Sequence, residues 1–451
     1  MNHRARLVCA LLVVLFQACS VFRPDGERDD FIKVRGTQFI HNDRPYYYVG
    51  ANVWYGCYLG SPGETGDRER LRRELDSMCA KGLFNLRILG ASEESNIRQS
   101  VKPAIQQRPG KLDETLLQGL DYLLDQMHTR RMHAVMFLGN YWEWSGGMAQ
   151  YNVWADGGSV PDPEDTTKGL MTFMEFSAKF YTNSKANDLY RNYVRTIVTR
   201  KNIYSGRNYS EDPTIMAWQL ANEPRPWSRG PDAEKNLGDF YRWVDGTAGY
   251  IHSLDTNHLV SSGSEGTVAF GWSKENFLQT HVSPHIDYLT FHVWPKNWGW
   301  FDPRRFDETF PATEEKTMEY IAVHLSAARQ LRKPIVMEEF GLGRDNAACS
   351  PGSPTTARDR YYTMVLTALY DSARTGSPLA GSNFWAWGGE GQAKHPDFVW
   401  RMGDPFLGDP PQEPQGYNAI FNADRSTVGI IRDQAFKMME LRDSLLATGR
   451  R

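Results

Sequence analysis

Eight short apolar runs recur along this chain, and amphipathic, charge-rich stretches lie between most of them. The runs occupy 46–54, 84–90, 133–140, 215–224, 258–266, 286–295, 334–341 and 380–389. Each has a strand's length and is rich in β-branched and aromatic residues. Helical stretches such as 68–82, 113–131 and 314–331 repeat their apolar residues at three- and four-residue spacing. Eight strands, most of them followed by a helix, predict an α/β chain folded as a (β/α)8 TIM barrel. A doubly wound open sheet would want a glycine-rich phosphate turn near the start, and the sequence has none. Without an internal repeat or low-complexity tract, residues 31–451 read as one domain with long βα loops.

The strand ends carry the chemistry. Asn52 and Trp54, Arg87, Asn140, Asn222 and Glu223, Glu265, His292 and Trp294, Glu339 and Trp385 all fall at or just beyond the C-terminal end of a run. In a barrel those ends open on a single face, where active sites form. The segments 141–182 and 390–418 are long, and loops of that length usually cover or shape a site.

Two carboxylates stand out. The fourth run ends in Trp218-Gln219-Leu220-Ala221-Asn222-Glu223-Pro224, and the seventh in Met337-Glu338-Glu339-Phe340-Gly341. In an eight-stranded barrel these ends face each other across the mouth. A carboxyl pair about 5 Å apart is the arrangement with which retaining glycosidases combine an acid and a nucleophile. Strand side chains alternate, so only one of Glu338 and Glu339 is expected to face the barrel axis. That places Glu338 outward or behind the site, tied to a helix-side cation.

The stretch Trp218–Arg225 resembles the Asn-Glu-Pro signature of glycoside hydrolase family 5, and PIVMEEFG (334–341) resembles that family's nucleophile strand. GANVWYG (50–56), LVSSGSEG (259–266), FHVWPKNWGW (291–300) and SNFWAWGG (382–389) narrow the resemblance to the β-mannan-degrading subgroup. The match runs through essentially the whole chain beyond its N-terminal segment and keeps the strand order. It implies that Glu223 is the general acid/base and that Glu339, immediately before Phe340-Gly341, is the nucleophile. Arg87 resembles the family arginine beside the nucleophile, where a permanent cation keeps a carboxylate ionised. Asn222 would hydrogen-bond the sugar 2-hydroxyl, a contact that strengthens in an oxocarbenium-like transition state. His292 matches the family histidine near the acid/base. Two residues on, many members have a tyrosine bonded to the nucleophile, whereas this chain has Trp294, whose N–H donates but cannot accept. Trp385 would floor the subsite of the sugar being cleaved. Trp54, Trp142, Trp144, Trp298, Trp300 and Glu265 are further substrate-binding candidates. To act as an acid near neutrality, Glu223 is expected to have a raised pKa.

Composition narrows the partners. Fourteen tryptophans suit stacking on sugar rings, and a formal charge of −3 gives no footprint for nucleic acid or an anionic membrane. Eleven histidines are scattered without a metal-ligand spacing, so no metal or other cofactor is expected. Cys57, Cys79 and Cys349 lie too far apart for a disulfide framework to be read. At the start, Arg4 and Arg6 precede the apolar run 7–16 and small residues at 18–20. This predicts a signal peptide over 1–18, of the lipoprotein type with Cys19 lipidated, followed by a tether over 19–30. The chain is thereby expected to be exported to a bacterial cell envelope, with a membrane touched only through that lipid, and to act as a monomer.

The sequence leans to an endo-acting β-1,4-mannanase that accepts mannan or manno-oligosaccharides. An exo-acting β-mannosidase of the same family stands next, then a cellulase-like endoglucanase. A non-catalytic glycan-binding lipoprotein is the remote alternative.

Overall fold

A computed structural model describes residues 30–167, 169–227 and 229–447. The predicted signal and lipidation segment lies outside the described residues.

The expected barrel is present. Its strands are β1 (Tyr48–Asn52), β2 (Asn85–Leu89), β3 (His133–Phe137), β4 (Ile215–Gln219), β5 (Leu259–Ser261), β6 (Leu289–Val293), β7 (Ile335–Phe340) and β8 (Leu379–Phe384). All are parallel and buried throughout, as expected of strands covered on both faces. They run in the order β5-β4-β3-β2-β1-β8-β7-β6. The seam between β5 and β6 carries no ladder and is stitched singly. Asp287 N donates to Val260 O at 2.9 Å, Val260 N donates to the Asp287 carboxylate at 2.7 Å, and His292 N donates to Glu265 O at 3.1 Å.

An outer helix follows each strand: α1 (Arg68–Cys79), α2 (Glu114–Thr129), α3 (Ser184–Val198), α4 (Ala233–Leu254), α5 (Lys274–His281), α6 (Phe306–Leu331), α7 (Thr356–Arg374) and α8 (Arg425–Ala447). Side chains fix several starts by accepting from orphan backbone N–H groups: Asp67 for α1, Asp113 for α2, Asn183 for α3 and Ser273 for α5. The sequence reading began α6 at 314, past Pro311, but the helix starts at Phe306 and carries that proline inside. None of the described helices is long and apolar enough to cross a membrane.

Gly50, inside β1, shows how tightly the barrel closes. A Cβ there would lie 2.3 Å from Asn85 O and 2.5 Å from the Asn383 amide, so only glycine fits between β2 and β8. Below the barrel, three short antiparallel strands (Lys33–Arg35, Gln38–His41, Arg44–Pro45) form a floor. Phe39 is fully buried there against Tyr288, and Phe31 packs edge-on against His258; both partners sit at strand starts. The long loops are ordered rather than structureless. Residues 141–182 contain the short helices Gly147–Asp156 and Gly169–Ala178. In the last loop, Trp387–Gly389 pairs with Ile420–Phe421.

Candidate active site

The fourth strand ends in an unusual backbone. Asn222 N donates to Gly139 O at 2.8 Å, and Glu223 N to Gly263 O at 2.9 Å, so both residues extend the barrel beyond its regular ladder. Glu223 then adopts φ +49°, a left-handed conformation that a long side chain occupies only under constraint. Pro224 helps to impose it, since a proline disfavours the right-handed helical region for the residue before it. The side chain is thereby turned into the mouth, where it is 6% exposed.

Glu339 reaches the same point from β7 and is 3% exposed. Its Oε1 lies 2.5 Å from Arg87 Nη1, and its Oε2 accepts from Trp294 Nε1 at 3.3 Å. Glu223 Oε1 lies 2.6 Å from His292 Nδ1, and its Oε2 accepts from Trp142 Nε1 at 2.5 Å. His292 also lies 3.4 Å from Glu339 Oε2 and so stands between the two carboxylates. One ligand atom from each of Glu223, His292 and Glu339 falls within 4.8 Å of the others. That is near the carboxyl separation of an acid–nucleophile pair. The same trio is also close enough to grip a divalent cation, although Arg87 already supplies a permanent positive charge there.

Arg87 organises the site. It is fully buried at the middle of β2 rather than at the strand end expected from sequence, and its fork spends every nitrogen: Nε donates to Gln219 at 2.8 Å, Nη1 also to Asn52 at 3.2 Å, and Nη2 to Asn222 at 2.8 Å. Asn222 in turn donates to Asn140 at 3.2 Å. The fan of fixed amides explains why a guanidinium and not an ammonium suits this position.

Glu338 departs from expectation. It is fully buried beside Glu339, accepts from Gln219 Nε2 and from Tyr288 OH at 3.3 Å, and lies 3.6 Å from Arg87 Nε. It holds no helix-side cation. The reason is a bulge: Phe291 pairs with Met337, but the next residue, His292, pairs with Glu339. The extra residue breaks the alternation, so both glutamates reach the same arginine.

The electrostatics are those of one proton shared among buried acids. Burial drives Glu339 well above the usual carboxylate range; Arg87 opposes it and the charge of Glu223 adds to it. Burial also acts to raise Glu223, yet the His292 hydrogen bond, the charge of Arg225 and the Trp142 N–H hold it below the usual carboxylate range. This reverses the sequence expectation of a raised Glu223. The physical reason is the imidazole: burial holds His292 near 4, so it is neutral at pH 7, and a proton on its Nδ1 stabilises Glu223 as the carboxylate. The other neutral tautomer accepts at Nδ1, and the same 2.6 Å contact then receives a hydrogen bond from protonated Glu223.

The remaining candidates separate. Trp142 touches Glu223 directly, its ring stacked near Phe173 and under the Arg225 guanidinium. Trp385 lies at the mouth beside Trp294 and Trp144, with its buried Nε1 bonded to nothing in the described residues. Trp54 is no platform: it is fully buried, donates to Gly408 O at 2.8 Å and packs against Trp144 and Phe406. Trp144 is buried with it. Trp298 and Trp300 are half-buried and pack together with Trp272. Glu265 is not open to bind sugar, because it is buried in an ion pair with Arg225. Arg225, Gln219, Asn52 and Asn140 belong to the site's network yet were given no role from sequence; only their places at strand ends pointed to them.

Comparison with known proteins follows the same lines. A profile described as GH family 5 beta-mannosidase-like matches residues 29–443. The glycoside hydrolase family 5 mannosidase of Rhizomucor miehei superposes with a TM-score of 0.85 at 35% identity, covering 93% of this chain and 100% of its own. A variant of that enzyme has been seen in complex with mannosyl-fructose. Mannan endo-1,4-beta-mannosidase 4 of Solanum lycopersicum is 27% identical over 98% of this chain and 100% of its own. A parallel barrel with facing glutamates does not by itself fix a substrate, but a match sustained from floor to last helix does fix a lineage: the chain belongs to glycoside hydrolase family 5, among its β-mannan-degrading members.

Proposed function

We propose that this glycoside hydrolase cleaves β-1,4-mannosidic bonds with retention of configuration, and that the cluster Glu223–His292–Glu339 on Arg87 performs both steps. Glu339 attacks the anomeric carbon; the bond from that carbon to the leaving oxygen breaks as the ester to Glu339 forms. The proton that the pair shares passes to Glu223, hydrogen-bonded to the Nδ1-accepting tautomer of His292, which leaves Glu339 ionised beside Arg87, and Glu223 gives that proton to the leaving oxygen. The Trp142 N–H and Arg225 then stabilise the carboxylate left behind. In the second half Glu223 takes a proton from water, whose oxygen displaces Glu339. The observation that carries this reading is one imidazole within 3.4 Å of both glutamates, with Arg87 on only one of them. Proton NMR of the first product tests it: the β anomer is expected first, and the α anomer appearing first would overturn retention.

The 35% likeness to a mannosidase over nearly the whole chain supports release of single mannose units from chain ends. The endo reading is supported by relatives such as the tomato enzyme. Early products from mannohexaose separate the two, since mannose with mannopentaose marks end-trimming and a spread of shorter oligosaccharides marks internal cleavage.

We also propose export and lipid attachment at Cys19, supported by Arg4, Arg6 and the apolar run that follows. Incorporation of labelled palmitate that persists in Cys19→Ser would refute it.

A further inference from the structure

Trp272 is 49% exposed and stands at φ +71°, directly after the left-handed Gly271. A bulky aromatic residue in that conformation is a true outlier, and such strain is retained where surroundings enforce it. Here Trp272 N donates to Thr267 O at 2.8 Å, locking the turn that precedes α5. The indole is propped up rather than packed away. Trp300 lies 5.7 Å from it at 31°, Trp298 meets it edge-on at 5.4 Å, and Tyr320 supports all three. Rigid rings in fixed array, one of them half in water, offer a flat apolar face with little entropy left to lose.

The position of this group gives it a ligand. Tyr320 OH donates to Glu265 O at 2.8 Å, Glu265 is paired with Arg225, and Arg225 lies over the Trp142 ring that bonds Glu223. The patch is thereby joined to the acid, and a second link, from Trp298 N to Trp294 O at 3.0 Å, leads to the indole that bonds Glu339. In the proposed mechanism the acid stands on the side of the departing sugar. From the half-exposed indole of Trp272, propped by Trp298 and Trp300 and joined through Tyr320 and Glu265 to the acid side of the cleft, we infer a remote stacking platform for the departing part of a β-1,4-mannosyl chain. The inference rests on the reaction proposed above. It holds for either mode of attack, since both leave polymer on that side.

Kinetics on a ladder from mannobiose to mannohexaose test it. In Trp272→Ala, kcat/KM should match the parent on the shortest substrates that react and fall about tenfold once the chain reaches the platform, with the loss chiefly in KM; tenfold corresponds to about 1.4 kcal/mol. Trp272→Phe, which keeps a flat ring, should recover most of the loss. Undiminished turnover of mannohexaose by Trp272→Ala would overturn the inference, and so would an equal loss at every length, which marks a structural defect. Failure of the parent enzyme on the entire ladder would instead refute the proposed reaction, and so remains distinguishable.

Discussion

Arg87 divides its charge between two neighbouring carboxylates, at 2.5 Å from Glu339 and 3.6 Å from Glu338. Removing the charge of Glu338 should leave more of the guanidinium's field to Glu339. Glu339 would then ionise at lower pH, so Glu338→Gln is expected to shift the acid limb of the kcat/KM profile downward; an unmoved or raised limb would show that Glu338 does not compete. Zinc offers a second residue-scale test. Activity should survive exhaustive chelation, whereas micromolar zinc should inhibit competitively with substrate by occupying Glu223, His292 and Glu339, whose ligand atoms lie within 4.8 Å. Loss of activity on chelation would contradict the metal-free mechanism. At this scale the sequence was only partly readable. The residues at strand ends could be located by counting strands, but alternation failed at Glu338, because a one-residue bulge leaves no mark in the hydrophobic pattern. Trp54 was legible as a mouth residue and not as a buried one, since Phe406 and Trp144, which cover it, come from distant loops.

Among the elements, the loops behind β2 and β3 are joined by Glu93. Its Oε2 accepts from Gly147 N at 2.8 Å, and burial pushes the acid to about 8. Below pH 4.5 the group is protonated whether the chain is folded or not. As pH rises from there the unfolded chain loses the proton readily while the folded one resists, so stability is lost through the window up to about 8. Glu93→Gln should therefore flatten the decline in melting temperature between pH 5 and 8. The comparison must be made as a difference, because burial also raises Glu143 to about 7 and Glu265 to about 8. A parallel decline in both proteins would remove Glu93 from the account. The elements themselves were the most legible level, seven strands falling inside their apolar runs and β8 beginning one residue early at Leu379. Ends were less so: Pro311 hid the first turns of α6, and each run's last residues left the ladder to present side chains.

For the whole molecule, stability and chemistry occupy opposite ends. The floor strands plug the bottom with Phe39, and the glutamates line the top. Phe39→Ala is expected to cost about 3–5 kcal/mol of stability, measurable in denaturant, while kcat/KM of the folded enzyme stays within about twofold. A large change in KM would mean that the two ends are coupled. The architecture followed from repetition along the sequence, but the open seam between β5 and β6 did not, because β5 keeps only three ladder residues and Asp287 completes the closure.

The floor has a directional consequence. Phe31, beside the first described residue Asp30, packs against His258 at the start of β5, on the end of the barrel away from the catalytic mouth. A molecule held from that side presents its cleft outward, like a cup fixed by its base. Were the enzyme fastened to an envelope through residues upstream of Asp30, long polysaccharides could approach from the surroundings without passing between protein and surface, and released sugars would leave away from the point of attachment.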